Sequence, residues 1–151
     1  MTLSPGTERQ LKAAAVIGYS VFSGLLVLVI TEELIRLKLR PFLGFFDIPL
    51  SRVVRYAFFA IAALTILAIL VVRRKLLRRR PGEEGSAFGA RLTRLTVIIL
   101  GLAEVPGLLG FVLFLLFGHN QDFYALLFVS ALLIFMFFPR RSVWEELIHY
   151  Q

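Results

Sequence analysis

The sequence predicts an all-α membrane protein with four transmembrane helices, arranged as a duplicated helical hairpin. Three observations lead there. The 151-residue chain is 58% hydrophobic and only 18% charged, with a mean hydropathy of +0.82. Soluble domains average ~45–50% apolar and ~25% charged residues, so this chain could not cover itself with polar surface in water. Its apolar residues gather into four runs close to the ~20 residues that cross ~30 Å of hydrocarbon. The runs are too long for barrel strands and lack their period-two alternation.

The segment Met1 to Gln10 is polar and carries Pro5 and Gly6. The apolar run that follows lacks a small-residue cleavage site, so it reads as a retained span and not as a secretory signal. The first span is expected over Leu11 to Ile30 and the second over Val53 to Val72, ending at Arg73-Arg74-Lys75. The third covers Leu95 to Phe117, and the shorter fourth covers Phe123 to Phe138, with Tyr124 at the interface. Residues 1–151 form a single four-span domain.

Residues 31–52 are expected to lie along the membrane interface. Glu32, Glu33, Arg36, Lys38 and Arg40 alternate there with aliphatic residues, and Pro41 and Pro49 break any long helix. Phe42, Phe45 and Phe46 are expected to dip into lipid. Residues 73–94 read as a basic cytoplasmic loop around Arg78-Arg79-Arg80-Pro81-Gly82. Those three arginines suit lipid headgroups or a partner.

Lys and Arg counts set the expected orientation. Twelve lie on the side holding both termini and the 73–94 loop, against five on the other (Arg36, Lys38, Arg40, Arg52, Arg55). Both termini are therefore expected to be cytoplasmic, in a prokaryotic inner membrane.

Other functions are argued against by what is scarce. There is no cysteine, which removes disulfides and thiolate chemistry, and the two histidines, His119 and His149, lie far apart. The net charge of +7 flanks apolar runs, which points to anionic lipid and not to nucleic acid. No Ser/His/Asp set, phosphate loop or metal cluster is evident. The expectation is a non-enzyme without a cofactor.

The first and third spans align without gaps. Ile17-Gly18-Tyr19-Ser20-Val21-Phe22-Ser23-Gly24-Leu25-Leu26 lies over Leu100-Gly101-Leu102-Ala103-Glu104-Val105-Pro106-Gly107-Leu108-Leu109. The second and fourth align from Tyr56 over Tyr124. Both copies start on one side, giving a parallel repeat. Val21 stands in the first copy where Glu104 stands in the second.

Glu104 reads as the one ionisable residue deep inside a span, near mid-bilayer. A charged carboxylate costs several kcal/mol there, so it must be protonated, paired or reached by water. Gly101, Gly107 and Gly110 permit close helix approach, and Pro106 disturbs the helix ladder beside the carboxylate. Ser20, Ser23, Thr65 and Ser130 are candidate hydrogen-bond partners for it. The residue either carries an ion or joins helices through a neutral hydrogen bond.

The stretch Leu102-Ala103-Glu104-Val105-Pro106-Gly107-Leu108-Leu109-Gly110 resembles the carboxylate-bearing helix of subunit c of rotary F- and V-type ATPases. There a mid-membrane acid after a small residue carries the proton or sodium ion. The resemblance implies ion binding at Glu104. It covers about 20 residues, and the second span lacks the glycine-rich face of that family. The leading expectation is a non-catalytic subunit or self-associating component of a membrane complex, a homo-oligomer or a partner of other membrane subunits. The alternative is a proton- or sodium-translocating subunit.

Overall fold

A computed structural model describes residues 5–46, 52–76 and 85–141. Four helices account for nearly all of them: α1 (Pro5–Lys38), α2 (Arg52–Leu76), α3 (Gly85–Phe117) and α4 (Asn120–Phe137). All four are long and apolar enough to cross a membrane. The predicted class, a four-span all-α membrane protein, is the one found. In lipid a spanning chain must satisfy its backbone internally, and a helix does this within one segment.

The helix ends differ from expectation in an informative way. At ~1.5 Å per residue, the 34 residues of α1 and 33 of α3 reach about 50 Å, well beyond a ~30 Å hydrocarbon core. Residues 31–38, expected as interfacial chain, are therefore a continuation of α1. A helix needs no external hydrogen bonds to pass from hydrocarbon into headgroups, so polar residues alone do not end it. Pro41 does, because it removes a donor and disfavours helical geometry in the residue before it. Arg36 and Lys38 lie in the last turn, where cations suit the partial negative charge of the helix end. Likewise α3 starts at Gly85, inside the expected 73–94 loop.

α3 is the hub and packs on each of the other three, most extensively on α4. Its core with α1, α2 and α4 contains Leu25, Ile69, Ile99, Leu100, Ala103, Leu133 and Ile134. Nearer the α3–α4 turn, Ala62, Leu113 and Leu126 form a second buried group. Small residues set the approach of α3 and α4. A Cβ placed on Gly110 would lie 3.0 Å from the carbonyl of Phe123, and one on Gly107 would lie 3.2 Å from Ser130 Oγ. Gly101 differs from these two: no other described helix of the chain packs on it.

The chain after α1 folds back onto the end of α3. The last carbonyls of a helix lack intrahelical donors. Here the N–H groups of Phe45 and Phe46 donate to Leu115 O at 2.9 Å and Leu116 O at 3.0 Å, while Gly118 N–H donates to Phe114 O at 2.7 Å. Gly44 (φ +96°) and Gly118 (φ +69°) take left-handed conformations. A side chain on Gly44 would collide with the Leu116 backbone. Phe42 is half-buried and packs on Phe114 with ring centroids 5.0 Å apart, whereas Phe45 and Phe46 are exposed.

Large apolar side chains remain exposed on every helix, among them Val16, Leu64, Val112 and Phe128. In water so much exposed apolar surface would drive association. In a bilayer it is the surface that lipid covers.

Candidate functional site

Glu104 is half-buried at the seam of α1 and α3. It lies on α3 thirteen residues before Phe117, which is about 20 Å along the axis. Its Oε1 occupies the space above Gly24 of α1, where a Cβ would lie only 2.8 Å away. Any larger residue at position 24 would force the carboxylate to move. Gly24 therefore makes room for Glu104, a pairing of two spans not expected from the aligned repeats.

The expected hydroxyl partners do not reach that carboxylate. Ser20 Oγ donates to Val16 O at 3.0 Å and Thr65 Oγ1 donates to Ile61 O at 2.9 Å, each within its own helix. Ser23 is exposed. Ser130 does meet Glu104, but through the backbone. Its Oγ accepts from Gly107 N–H at 2.7 Å and donates to Glu104 O at 3.3 Å.

Pro106 explains that arrangement. A proline inside a helix removes one i→i−4 bond and crowds the preceding turn. Local backbone groups then need partners, and a buried serine of α4 supplies both a donor and an acceptor. No described residue donates to the Glu104 carboxylate. Arg78, Arg79 and Arg80, the expected headgroup or partner contacts, lie outside the described residues.

A second polar group was not anticipated. It gathers where α1 ends and α2 and α4 begin. Tyr124 Oη lies 2.7 Å from Glu32 Oε2 and 2.9 Å from Glu33 Oε1. Arg36 Nη1 reaches Glu33 Oε1 at 3.0 Å and Glu32 Oε1 at 3.7 Å. With its amide oriented to suit its neighbours, Asn120 accepts from Arg36 Nε at 3.1 Å and donates to Gly118 O at 3.3 Å.

Beside this group, Arg55 Nη2 pairs with Asp122 Oδ1 at 2.6 Å. The second oxygen, Asp122 Oδ2, is buried without a hydrogen bond, and His119 Nδ1 stands 3.9 Å from it. Glu32 and Asp122 are almost fully buried, at 0% and 1% exposure, so Glu104 is not the only enclosed carboxylate. A buried charge needs a partner, and both have one. The sequence did hold a signal for this. Arg36 and Arg55, two of the five cations counted against the orientation, are each neutralised by a carboxylate at the same end of the bundle.

Fold and site together define a small four-helix membrane protein. The chain matches no protein-family model, and no curated protein or solved structure shows detectable similarity to it.

Proposed function

We propose that the protein is a non-catalytic component of a membrane assembly, formed by self-association or with other membrane subunits, and that Glu104 is its protonatable contact. One observation carries this reading. The carboxylate lies inside the span, half-buried against Gly24, and receives no hydrogen bond from any described residue. An acid at that depth needs a proton, an ion or a donor from elsewhere. A neighbouring helix in an assembly supplies such a donor. At the other end, by contrast, each enclosed carboxylate already has a cation or a hydrogen-bond donor from its own chain.

The mass of the complex in mild detergent tests the proposal. The wild type should exceed the 17.1 kDa of one chain. Glu104→Leu should run as a single chain, and Glu104→Gln, which keeps hydrogen-bonding capacity, should retain the assembly. A monomeric wild type, or an assembly unaffected by Glu104→Leu, refutes the role.

The same atoms favour a second reading, a proton- or sodium-translocating subunit. An unbonded carboxylate beside the open space of a glycine is free to take up and release an ion. Dicyclohexylcarbodiimide labelling of Glu104 that slows with rising pH and is blocked by sodium would support ion carriage. Sodium-insensitive labelling of an intact assembly would leave the structural role alone.

A further inference from the structure

An apolar groove opens to the membrane between α1 and α4, at the Arg-rich end of the bundle. Tyr19, Phe22, Ile134, Phe135 and Phe138 line it around a hollow of about 250 Å³. Tyr19 and Phe138 meet edge to face at 5.0 Å. Gly18 allows that approach, since a Cβ there would lie 2.8 Å from Phe138 Cε2.

Two features of the following chain bring a charge to this groove. α4 stops at Phe137, because Pro139 cannot continue it. Arg140 then folds back, and its guanidinium carbon lies 5.1 Å above the Phe135 ring. A cation over an aromatic face is attracted by the ring's negative face, which biases the side chain toward the groove. No described carboxylate pairs with Arg140.

We propose that the groove binds one anionic phospholipid, its acyl chain along Phe22, Ile134 and Phe135 and its phosphate on Arg140. The occupant follows from the chemistry of the walls. Four of the five lining residues are purely apolar, and the surface they expose to the hollow is almost wholly hydrocarbon, which suits an acyl chain. Arg140 stands over Phe135, one of the lining rings, just beyond the end of α4, and a guanidinium matches a phosphate with two parallel hydrogen bonds. A zwitterionic choline lipid brings a cation of its own to that place, so net negative charge is selected. This inference does not depend on the role of Glu104.

The test uses the full chain in phosphatidylcholine nanodiscs containing phosphatidylglycerol with a photoreactive acyl chain. Cross-links mapped by peptide mass should concentrate on residues 19–22 and 134–138. Arg140→Gln should reduce them about fivefold, the factor that ~1 kcal/mol per surface cation yields, with labelling around the lipid-exposed Leu64 unchanged. Arg140→Lys should retain part of the signal. Three results overturn the proposal: cross-links spread evenly over all exposed faces, equal labelling by a choline-headed probe, or groove labelling that appears only when the assembly is dissociated. The last would assign the groove to a protein partner.

Discussion

Removing the Ser130 hydroxyl probes the junction on which α3 depends. Ser130 is fully buried and differs from alanine by one oxygen, so Ser130→Ala leaves almost no cavity. The mutation takes away the 2.7 Å acceptor of Gly107 N–H and the 3.3 Å donor to Glu104 O. A buried donor left unsatisfied costs ~1–3 kcal/mol in general. Interhelical hydrogen bonds in membranes average nearer ~0.6 kcal/mol, with a maximum of ~1.7. The short bond and the proline beside it place this one toward the upper end, at ~1–1.5 kcal/mol.

Unfolding in mixed micelles with increasing dodecyl sulfate, followed by helical ellipticity, would measure the loss. The decisive comparison is a double-mutant cycle with Pro106→Ala. Alanine restores the N–H at position 106 and lets the ladder close without help. In that background Ser130→Ala should cost less than ~0.5 kcal/mol, a coupling of the size expected for contacting residues. Equal losses with and without Pro106, or no loss in either, would refute the claim that Ser130 repairs the helix at the proline.

The polar group at the other end yields two further predictions. Tyr124→Phe should destabilise by about 1 kcal/mol in the same unfolding assay, a charged hydrogen bond discounted because water can reach the exposed tyrosine. Part of that loss should vanish in a Glu32→Gln background, where Tyr124 keeps only Glu33 as a charged partner, and an unchanged transition in Tyr124→Phe would exclude the Tyr124–Glu32 bond. Arg55→Ala should cost about 2 kcal/mol by leaving Asp122 as an unpaired buried charge, with its partner's 47% exposure keeping the loss below that of a fully buried pair. Adding Asp122→Asn should recover at least half of the stability, and additive losses would show that the two do not act as a pair.

The carboxylate of Glu104 was visible in the sequence, but its surroundings were not. One acid among apolar residues stands out by composition alone. Gly24, which leaves room for it, lies on a helix eighty residues earlier, and which face of α1 meets α3 depends on the rotation of both helices. The serines illustrate the same limit. Four hydroxyls stood at suitable depth, yet a hydroxyl on a helix can always bond its own i−4 carbonyl, as Ser20 and Thr65 do. Only Ser130 crosses between helices, and it goes to the backbone beside Pro106. The pairs Tyr124–Glu32 and Arg55–Asp122 join residues 92 and 67 positions apart, and no local pattern marks them.

The sequence by itself determined that this chain belongs in lipid, that it crosses as helices, and how many times. Those properties follow from transfer free energies summed residue by residue over each run, and they need no knowledge of neighbours. Pro41 and Pro139 also marked the stops of α1 and α4, but Pro106 stands inside α3, and nothing in the sequence marked where polar residues let a helix run on. The tertiary structure alone decided that α3 is the hub, that Gly24 makes room for Glu104, and that the enclosed charges at one end are paired. These outcomes depend on helix rotation and approach. In a membrane such choices are made by close packing and hydrogen bonds, because lipid solvates apolar faces as well as another helix does.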